Sequence, residues 1–233
     1  MTTRTVLISG GGRGIGAATG RVMMQAGWNV SLGMRSPALP DWAAEGPGQV
    51  QACAYEATDP AAAERWVAEA RSRFGGIDAV VANAGIMIRK DVIAAEDEEL
   101  ARLMEVHVAA PRRLAKAAWG DLAASGRGRV IIVSSLSGKR VKSAISSLYS
   151  VSKFAATGLA HALRHTGFEL GIRATAVCPG FVATDMGLPL TTRAAEELTD
   201  PADIGRAIHF LIELPNNSSV AEFAVNWTLE ESF

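Results

Sequence analysis

A glycine-rich turn near the start of the chain constrains the fold more than any other feature. An apolar, β-rich run at residues 4–9 breaks into Gly-Gly-Gly-Arg-Gly-Ile-Gly and resumes as a helix-forming stretch that ends at Gly27. A strand, a tight turn and a helix in this order begin a parallel α/β unit. Such a turn lets the backbone approach a pyrophosphate closely, and the helix offers free N–H groups to the phosphates. The glycines that matter here are Gly10, Gly14 and Gly16.

The remaining chain repeats strand and helix signals. Apolar runs predict further strands at residues 30–34, 50–55, 77–83, 129–134, 173–178 and 222–227. Helices are predicted at residues 59–74, 97–124 and 201–213, and another helix carries Tyr149 and stops near Gly171. Pro111 is expected to interrupt the middle of the 97–124 helix, residues 36–48 to form a loop, and residues 185–199 to form a short lid. We therefore predict an α/β fold, a doubly wound parallel sheet with helices on both faces and right-handed crossovers.

Composition favours a single domain spanning residues 1–233. The chain is 48% hydrophobic and 20% charged, which suits one substantial core. A net charge of -1 and a pI of about 6.4 give no basic footprint for nucleic acid, and no apolar run approaches the roughly 20 residues of a membrane span. The start of the sequence has no signal-peptide pattern, so a cytoplasmic protein is expected. Cys53 and Cys178 lack a metal-like neighbourhood, so we expect reduced structural cysteines and no metal.

Tyr149 and Lys153 are the strongest candidates for proton transfer. They lie four residues apart in a predicted helix, so both side chains leave the same face. A phenol with an ordinary pKa of ~10 is protonated at neutral pH, but an ammonium group beside it favours the phenolate. The spacing therefore predicts a tyrosine whose pKa is lowered by Lys153 and which acts as a general acid or base.

Five motifs in this order resemble the short-chain dehydrogenase/reductase family. The glycine turn is followed by Asn83-Ala84-Gly85, Ser134-Ser135, the Tyr149 to Lys153 segment and Pro179-Gly180, and the resemblance covers residues 5 to about 227. It implies a Rossmann-like strand order and an oxidoreductase acting on CH-OH/C=O groups. It also implies that Ser135 orients the substrate oxygen, that Tyr149 supplies the proton, and that Lys153 lowers the tyrosine pKa and binds the nicotinamide ribose. Ser134 remains an alternative to Ser135.

The cofactor prediction combines the resemblance with the end of the second strand. NAD-binding relatives carry an acid there, whereas this chain has Arg35 and Ser36, with Arg13 in the glycine turn. Guanidinium groups fit a 2'-phosphate, so NADP(H) is preferred over NAD(H). Glu56 is the best match for the adenine-binding acid, with Asp59 as a substitute. The predicted cofactor-binding residues are Gly10, Arg13, Gly14, Ile15, Gly16, Arg35, Ser36, Glu56, Asn83, Ala84, Gly85, Tyr149, Lys153, Pro179, Gly180, Val182 and Thr184.

His107 departs from the family pattern. Relatives carry an asparagine four residues before a proline such as Pro111, where it helps to hold a water that connects the lysine to solvent. An imidazole can donate and accept hydrogen bonds and titrates near pH 6.5 if unperturbed. Either His107 joins the proton relay, in which case the pH-rate profile gains an acidic limb between pH 5 and 8, or it is packed in its helix.

Taken together, these features predict NADP(H)-dependent hydride transfer to a small-molecule carbonyl, or from a secondary alcohol. A 3-oxoacyl-thioester reductase and a catalytically weak NADP(H)-binding sensor are the alternatives. Apolar faces at residues 100–118 and 154–170 resemble those that pair between subunits in the family, so a homodimer or homotetramer is expected. Lys139, Arg140 and Lys142 either ring the mouth of the site or are solvated loop charges.

Overall fold

The computed structural model describes residues 3–229. Within this range the strands are β1 Thr5–Ser9, β2 Asn29–Met34, β3 Val50–Ala54, β4 Ala79–Ala82, β5 Arg129–Val133, β6 Arg173–Pro179 and β7 Glu222–Val225. The α-helices are α1 Gly14–Gln25, α2 Ala62–Phe74, α3 Asp97–Met104, α4 Ala110–Ala124, α5 Ser147–Gly167 and α6 Pro201–Glu213. A π-helical turn, Glu105–Ala109, joins α3 to α4.

The seven strands of the described range form one parallel sheet in the order β3-β2-β1-β4-β5-β6-β7. Successive side chains of a strand point to opposite faces, and both faces are buried here. On one face α1 and α6 cover residues such as Ile8 and Val81. On the other face α2, α4 and α5 cover residues such as Leu7 and Val80. The predicted doubly wound sheet with helices on both faces is confirmed.

Local sequence explains where several elements begin and end. Gly75, with φ of 87°, ends α2, because its left-handed backbone suits a residue without a side chain. The carboxylate of Asp200 accepts a hydrogen bond of 2.7 Å from the Ala202 N–H, and Pro201 occupies the first helical position of α6. Gly171, with φ of 75°, follows a short 3-10 turn after α5, close to the predicted stop.

The predicted helix at residues 97–124 needs a correction. It is divided into α3, the π-helical turn and α4, and the irregular segment lies before Pro111 rather than at it. Proline is tolerated near the start of α4 because its missing N–H has no partner to lose there. The loop predicted at residues 36–48 contains one short 3-10 helix, Asp41–Ala44. β4 and β7 are shorter than predicted, whereas β6 extends one residue further, to Pro179.

The strand order reverses between β1 and β4. In an open α/β sheet, a crevice forms at such a point, outside the carboxyl ends of the strands, and ligands bind there. The glycine turn after β1 and Asn83 after β4 both lie at this edge. No helix within residues 3–229 has both the length and the apolar character needed to cross a membrane.

Candidate active site

A cleft of about 1300 Å³ opens at the carboxyl ends of the strands. It brings together most residues that the sequence singled out. Ser135, Tyr149 and Lys153 line it with Gly10, Arg13, Gly14, Ile15, Arg35, Ser36, Glu56, Asn83, Ala84, Gly85, Pro179, Gly180, Val182 and Thr184. Two predicted residues do not line it. Gly16 packs behind the turn against the Gly10 carbonyl, and His107 lies behind Tyr149.

The glycine turn has the backbone shape that close approach to an anion requires. Gly10 and Gly14 have φ of 67° and 53°, a conformation that side chains disfavour. The Asn83 side chain donates to the carbonyl oxygens of Ser9 and Gly10 at 3.0 and 3.3 Å, so it ties the turn to the end of β4. The first turn of α1 carries no acidic residue, so no side chain of that turn offsets the positive end of the helix dipole.

The far end of the cleft, at the ends of β2 and β3, has an open, polar lining. Arg35 and Ser36 are exposed there, and no acid follows β2 before residue 41. Glu56 also lines this end, and its carboxylate accepts a 3.3 Å hydrogen bond from the Thr58 N–H. Asp59 instead accepts a hydrogen bond from the Ala61 N–H and pairs with Arg65. Of the two carboxylates considered for this position, Glu56 is the one on the cleft.

The segment after β6 closes the opposite wall of the cleft. The Gly180 N–H donates to the Val225 carbonyl oxygen at 2.7 Å, and a Cβ at this position would lie only 2.1 Å from Asn226 Oδ1. Thr184 accepts a hydrogen bond from the Gly187 N–H at 3.2 Å and packs against Gly14. These contacts hold the Pro179–Thr184 backbone beside the glycine turn. Beyond it, the short lid contains the two 3-10 turns Leu188–Leu190 and Ala195–Glu197.

The proton-transfer candidates meet where β5 faces α5. Tyr149 and Lys153 are buried on one face of α5, and Lys153 Nζ lies 5.6 Å from the centre of the Tyr149 ring. The Lys153 ammonium donates to the Val133 carbonyl oxygen at 3.0 Å, which anchors it at the end of β5. The Ser135 hydroxyl accepts a 3.1 Å hydrogen bond from the Ser137 N–H and borders the same cleft. Three groups that can transfer a proton or hydrogen-bond to a substrate oxygen therefore lie on one wall of the cleft.

Ser134 is held differently from Ser135. Its hydroxyl donates to the Lys153 carbonyl oxygen at 3.0 Å and lies 2.8 Å from the Thr157 hydroxyl. A Cβ at Gly138 would meet both the Lys153 carbonyl oxygen and Ser134 Oγ at 2.6 Å, so the turn after β5 packs tightly onto α5. The Ser134 hydroxyl thus joins β5 to α5, whereas the Ser135 side chain is hydrogen-bonded with Tyr149.

The pKa of Tyr149 corrects the expectation from the sequence. Burial raises this pKa above its ordinary value, and hydrogen bonding with Ser135 opposes the rise only in part. Burial also lowers the pKa of Lys153 to about 8. The sequence predicts a lowered tyrosine pKa, but the fold raises it, because burial destabilises the phenolate. Tyr149 therefore holds its proton at neutral pH.

Both ring nitrogens of His107 form hydrogen bonds. Its Nε2 accepts a 3.2 Å hydrogen bond from the Ile86 N–H, so the proton of the neutral ring is on Nδ1 and is donated to the Ser152 hydroxyl at 2.9 Å. Ser152 in turn donates to the Tyr149 carbonyl oxygen at 2.7 Å, and the imidazole meets the Tyr149 ring edge-on at 5.5 Å. The position lies inside the π-helical turn, a type of irregularity common at functional sites. His107 braces the helix that carries Tyr149.

The pKa of His107 also corrects the expectation of an acidic limb. Burial, followed by repulsion from the Lys153 ammonium, lowers this pKa to about 2. The imidazole therefore stays neutral from pH 5 to 8, and it cannot produce an acidic limb in a rate profile over that range. His107 lies behind Tyr149 as a packed, hydrogen-bonded residue.

The low pKa of His107 should instead appear in the stability of the fold. The unfolded chain takes up a proton on this imidazole below pH 6.5, but the folded protein does not until about pH 2, so stability is lost as the pH falls. Wild type is expected to lose about 2 kcal/mol more than His107→Asn between pH 7 and pH 5. Urea unfolding at both pH values measures the difference. The exposed His165 provides the control, since His165→Asn should keep the wild-type loss; equal losses in wild type and His107→Asn would contradict the argument.

Sequence reasoning missed two kinds of residue at the site. Ser152 connects His107 to Tyr149, and Asp185 forms an ion pair with Arg13 at 2.8 Å, but each partner is distant in sequence. The other kind is the apolar side chains of the cleft, which include Ile86, Met87, Ile88, Leu136, Met186, Leu190 and Trp227. Lys139, one of the three loop cations, pairs with Glu222, whereas Arg140 and Lys142 line the cleft.

The parallel sheet and the cleft at its switch point place this protein in the class of nucleotide-binding α/β enzymes. Comparison with known proteins identifies the family within that class. A family model described as short chain dehydrogenase matches residues 4–195. The chain belongs to the short-chain dehydrogenase/reductase family, whose members use NAD(P) and act on small molecules.

Relatives with known names agree with this assignment. Agropine synthesis reductase of Rhizobium rhizogenes is 32% identical over 221 residues, which cover 92% of this chain and 50% of the relative. This chain thus spans about half the length of the agropine synthesis reductases that it matches. Oxidoreductase UcpA of Escherichia coli K12 is 27% identical over 231 residues, covering 91% of this chain and 88% of UcpA. The alcohol dehydrogenase of Thermococcus sibiricus, solved with 5-hydroxy-NADP, superposes with a TM-score of 0.86 at 26% identity, covering 98% and 99% of the two chains.

Proposed function

We propose that this protein transfers a hydride between NADP(H) and a carbonyl or secondary-alcohol group of a small molecule. The observation that carries the proposal is the meeting of Ser135, Tyr149 and Lys153 on one wall of the cleft, beside the glycine turn. The alcohol dehydrogenase of Thermococcus sibiricus, which was solved with an NADP derivative, supports the same chemistry.

The residues of the cleft suit a dinucleotide. Gly10 and Gly14 adopt positive φ, and a Cβ at Gly14 would lie 3.2 Å from Thr184 Cγ2, so the turn is shaped to leave room that a side chain would fill. The N-terminus of α1 offers unneutralised N–H groups to phosphates. The two arginines of this region, Arg13 and Arg35, can bind a phosphate on the adenosine ribose. We therefore assign the remaining predicted cofactor contacts to the cleft-lining residues, with Glu56 at the adenine and Lys153 at the nicotinamide ribose.

The nicotinamide, when bound, supplies or accepts the hydride at the carbonyl carbon. Tyr149 donates its proton to the carbonyl oxygen, and its raised pKa keeps that proton available until negative charge develops on the oxygen. The buried Lys153 ammonium stabilises the phenolate left behind, where the low local dielectric makes the attraction strong. The Ser135 hydroxyl holds the carbonyl oxygen next to Tyr149. Alcohol oxidation uses the same groups in reverse.

The test of this function is a panel of small carbonyl compounds followed by NADPH absorbance. Apolar side chains such as Met87, Met186 and Trp227 share the cleft with Tyr149, so apolar ketones and aldehydes belong in the panel. The absence of oxidation with every compound would favour the alternative of a catalytically weak sensor. No contact in the cleft singles out a thioester, so the 3-oxoacyl-thioester reductase is tested by including such a substrate.

We predict a preference for NADPH over NADH. Charge-assisted hydrogen bonds contribute ~1.5 to 3 kcal/mol each, so Arg35 alone can produce a preference of tens-fold. Arg35→Asp should weaken NADPH binding and move the preference toward NADH, because a carboxylate repels the phosphate and accepts from ribose hydroxyls. Isothermal titration with both cofactors measures this. Arg73→Asp, at the C-terminal end of α2, makes the same charge change away from the cleft and should leave the ratio unchanged; equal affinities in wild type would refute the preference.

Two further expectations concern the protein in solution. Val151 and Phe154 on α5, and Phe168 just after it, are large apolar side chains that remain exposed. They support a symmetric homodimer or homotetramer, which light scattering at micromolar concentration can test, since a monomer mass would contradict it. The single-domain organisation and the cytoplasmic location stay predictions of the sequence.

A further inference from the structure

Arg13 and Asp185 meet across the opening of the cleft. Arg13 lies in the glycine turn before α1, and Asp185 lies in the segment after β6, 172 residues away. Arg13 Nη1 donates to Asp185 Oδ2 at 2.8 Å, and the two side chains are 75% and 70% exposed. Thr184 lies next to Gly14, where an added Cβ would be 3.2 Å from Thr184 Cγ2, so the two segments are close at this point. Both charged residues line the cleft.

Asp185 is unusual in the charge pattern of the cleft. Six cationic residues line it, namely Arg13, Arg35, Arg102, Arg140, Lys142 and Lys153, although the whole chain has a net charge of -1. Only two acidic residues of the described chain line it, Glu56 and Asp185. A carboxylate beside Arg13 places a negative charge where an anionic cofactor has to bind. That placement lowers the attraction of the turn for phosphate rather than raising it.

The exposed ion pair between Arg13 and Asp185 can break at small energetic cost. An ion pair this accessible to water contributes little to stability, so Arg13 can leave Asp185 at small cost. A phosphate is a stronger partner than a carboxylate for a guanidinium, because it carries more negative charge and has three acceptor oxygens. NAD(H) has no 2'-phosphate to offer. With that cofactor, Arg13 has no reason to leave Asp185.

We propose that Asp185 sets cofactor selectivity by competing with the 2'-phosphate of NADP(H) for Arg13. The proposal rests on the NADP(H)-dependent function argued above, and it gives Asp185 a defined effect within it. In this proposal Arg13 turns away from Asp185 when it offers both terminal nitrogens to the 2'-phosphate, because one of them, Nη1, is held by Asp185. Asp185 therefore reduces the preference for NADP(H) over NAD(H). The binding of NAD(H) leaves the contact in place.

The experiment compares NADPH and NADH dissociation constants by isothermal titration in matched variants of the full chain. The readout is the selectivity ratio, the dissociation constant for NADH divided by that for NADPH. Asp185→Asn should raise this ratio about 2- to 5-fold, the range expected from removing one exposed ion pair. Asp203→Asn is the control, because Asp203 is an exposed carboxylate paired with Arg206 on α6 and does not line the cleft. Its selectivity ratio should equal that of wild type.

Repeating the Asp185→Asn substitution in an Arg13→Ala variant shows whether Asp185 changes the selectivity ratio through Arg13. Arg13→Ala should lower the selectivity ratio, and in that background Asp185→Asn should no longer change it. If Arg13→Ala lowers the ratio but Asp185→Asn leaves it unchanged or lowers it, the competition is overturned while the proposed cofactor preference stands. If Asp185→Asn raises the ratio as much in the Arg13→Ala background as in wild type, Asp185 acts only as a general charge and the competition is again overturned. A wild-type ratio near one that Arg13→Ala does not alter overturns the preference itself.

Discussion

Tyr149→Phe is expected to reduce the rate of carbonyl reduction by ~100- to 10,000-fold, the usual contribution of a general acid. The substitution removes one hydroxyl and keeps the ring, so its edge-on contact with His107 at 5.5 Å is retained. Lys153 also keeps its hydrogen bond to the Val133 carbonyl oxygen, because that contact does not involve the phenol. NADPH affinity should therefore change little. Steady-state kinetics and isothermal titration separate the two quantities.

The other tyrosine of the chain gives a matched control. Tyr55 follows β3 at the opposite end of the cleft, where it packs against Trp66 with 4.9 Å between ring centres. Tyr55→Phe removes the same hydroxyl without removing a proton donor from the site of reaction, and it should keep a rate close to wild type. Retention of more than half of the wild-type rate by Tyr149→Phe would rule out its role as the proton donor.

Gly16→Ala is expected to destabilise the protein and to weaken cofactor binding together. A Cβ at this position would lie 2.3 Å from the Gly10 carbonyl oxygen and 2.6 Å from Asn83 Nδ2, so the backbone of the turn has to move. Such overpacking costs about 1 to 3 kcal/mol. The movement would also disturb the hydrogen bond from Asn83 to Gly10, which shapes the phosphate-binding turn. Thermal unfolding should show a loss of about 2 to 4 °C per kcal/mol.

The control is a glycine in a helix with space around it. Gly120 lies in α4, and a Cβ added there would meet no atom within 4 Å apart from its own helix backbone. Gly120→Ala should therefore leave the cofactor affinity unchanged and stabilise the fold by roughly 0.5 to 1 kcal/mol. A melting temperature of Gly16→Ala equal to or above that of wild type would show that the turn can relax. The proposed fit of the turn to a pyrophosphate would then lose its structural basis.

The sequence predicts the fold well because its signals are local. The strand at residues 5–9 and the helix after it are separated by glycines whose φ of 67° and 53° only glycine adopts readily, and buried apolar runs such as Val130 to Val133 are typical of parallel strands. The motif residues then meet because the carboxyl ends of parallel strands share one edge of the sheet. This places Asn83, Ser135 and Thr184 on one cleft without further information.

The electrostatics of the site could not be predicted in the same way. The spacing places Lys153 beside Tyr149. Whether the tyrosine pKa is raised or lowered, however, depends on how completely the fold buries the phenol. In sequence His107 looks like an ordinary helix residue. The approach of Ile86 and Ser152 fixes its tautomer, and burial together with repulsion from Lys153 lowers its pKa. The contact of Arg13 with Asp185 joins residues 172 positions apart, which no local pattern encodes.

The most direct measurement of the central claim follows the hydride itself. NADPH deuterated at both C4 positions of the nicotinamide is incubated with the wild-type protein and a carbonyl compound that the panel identifies, and the alcohol product is analysed by mass spectrometry. The account predicts one deuterium on the carbinol carbon of the product, formed at a rate that Tyr149→Phe reduces by ~100-fold or more. A product alcohol without deuterium, or no oxidation of NADPH with any carbonyl compound, would contradict it.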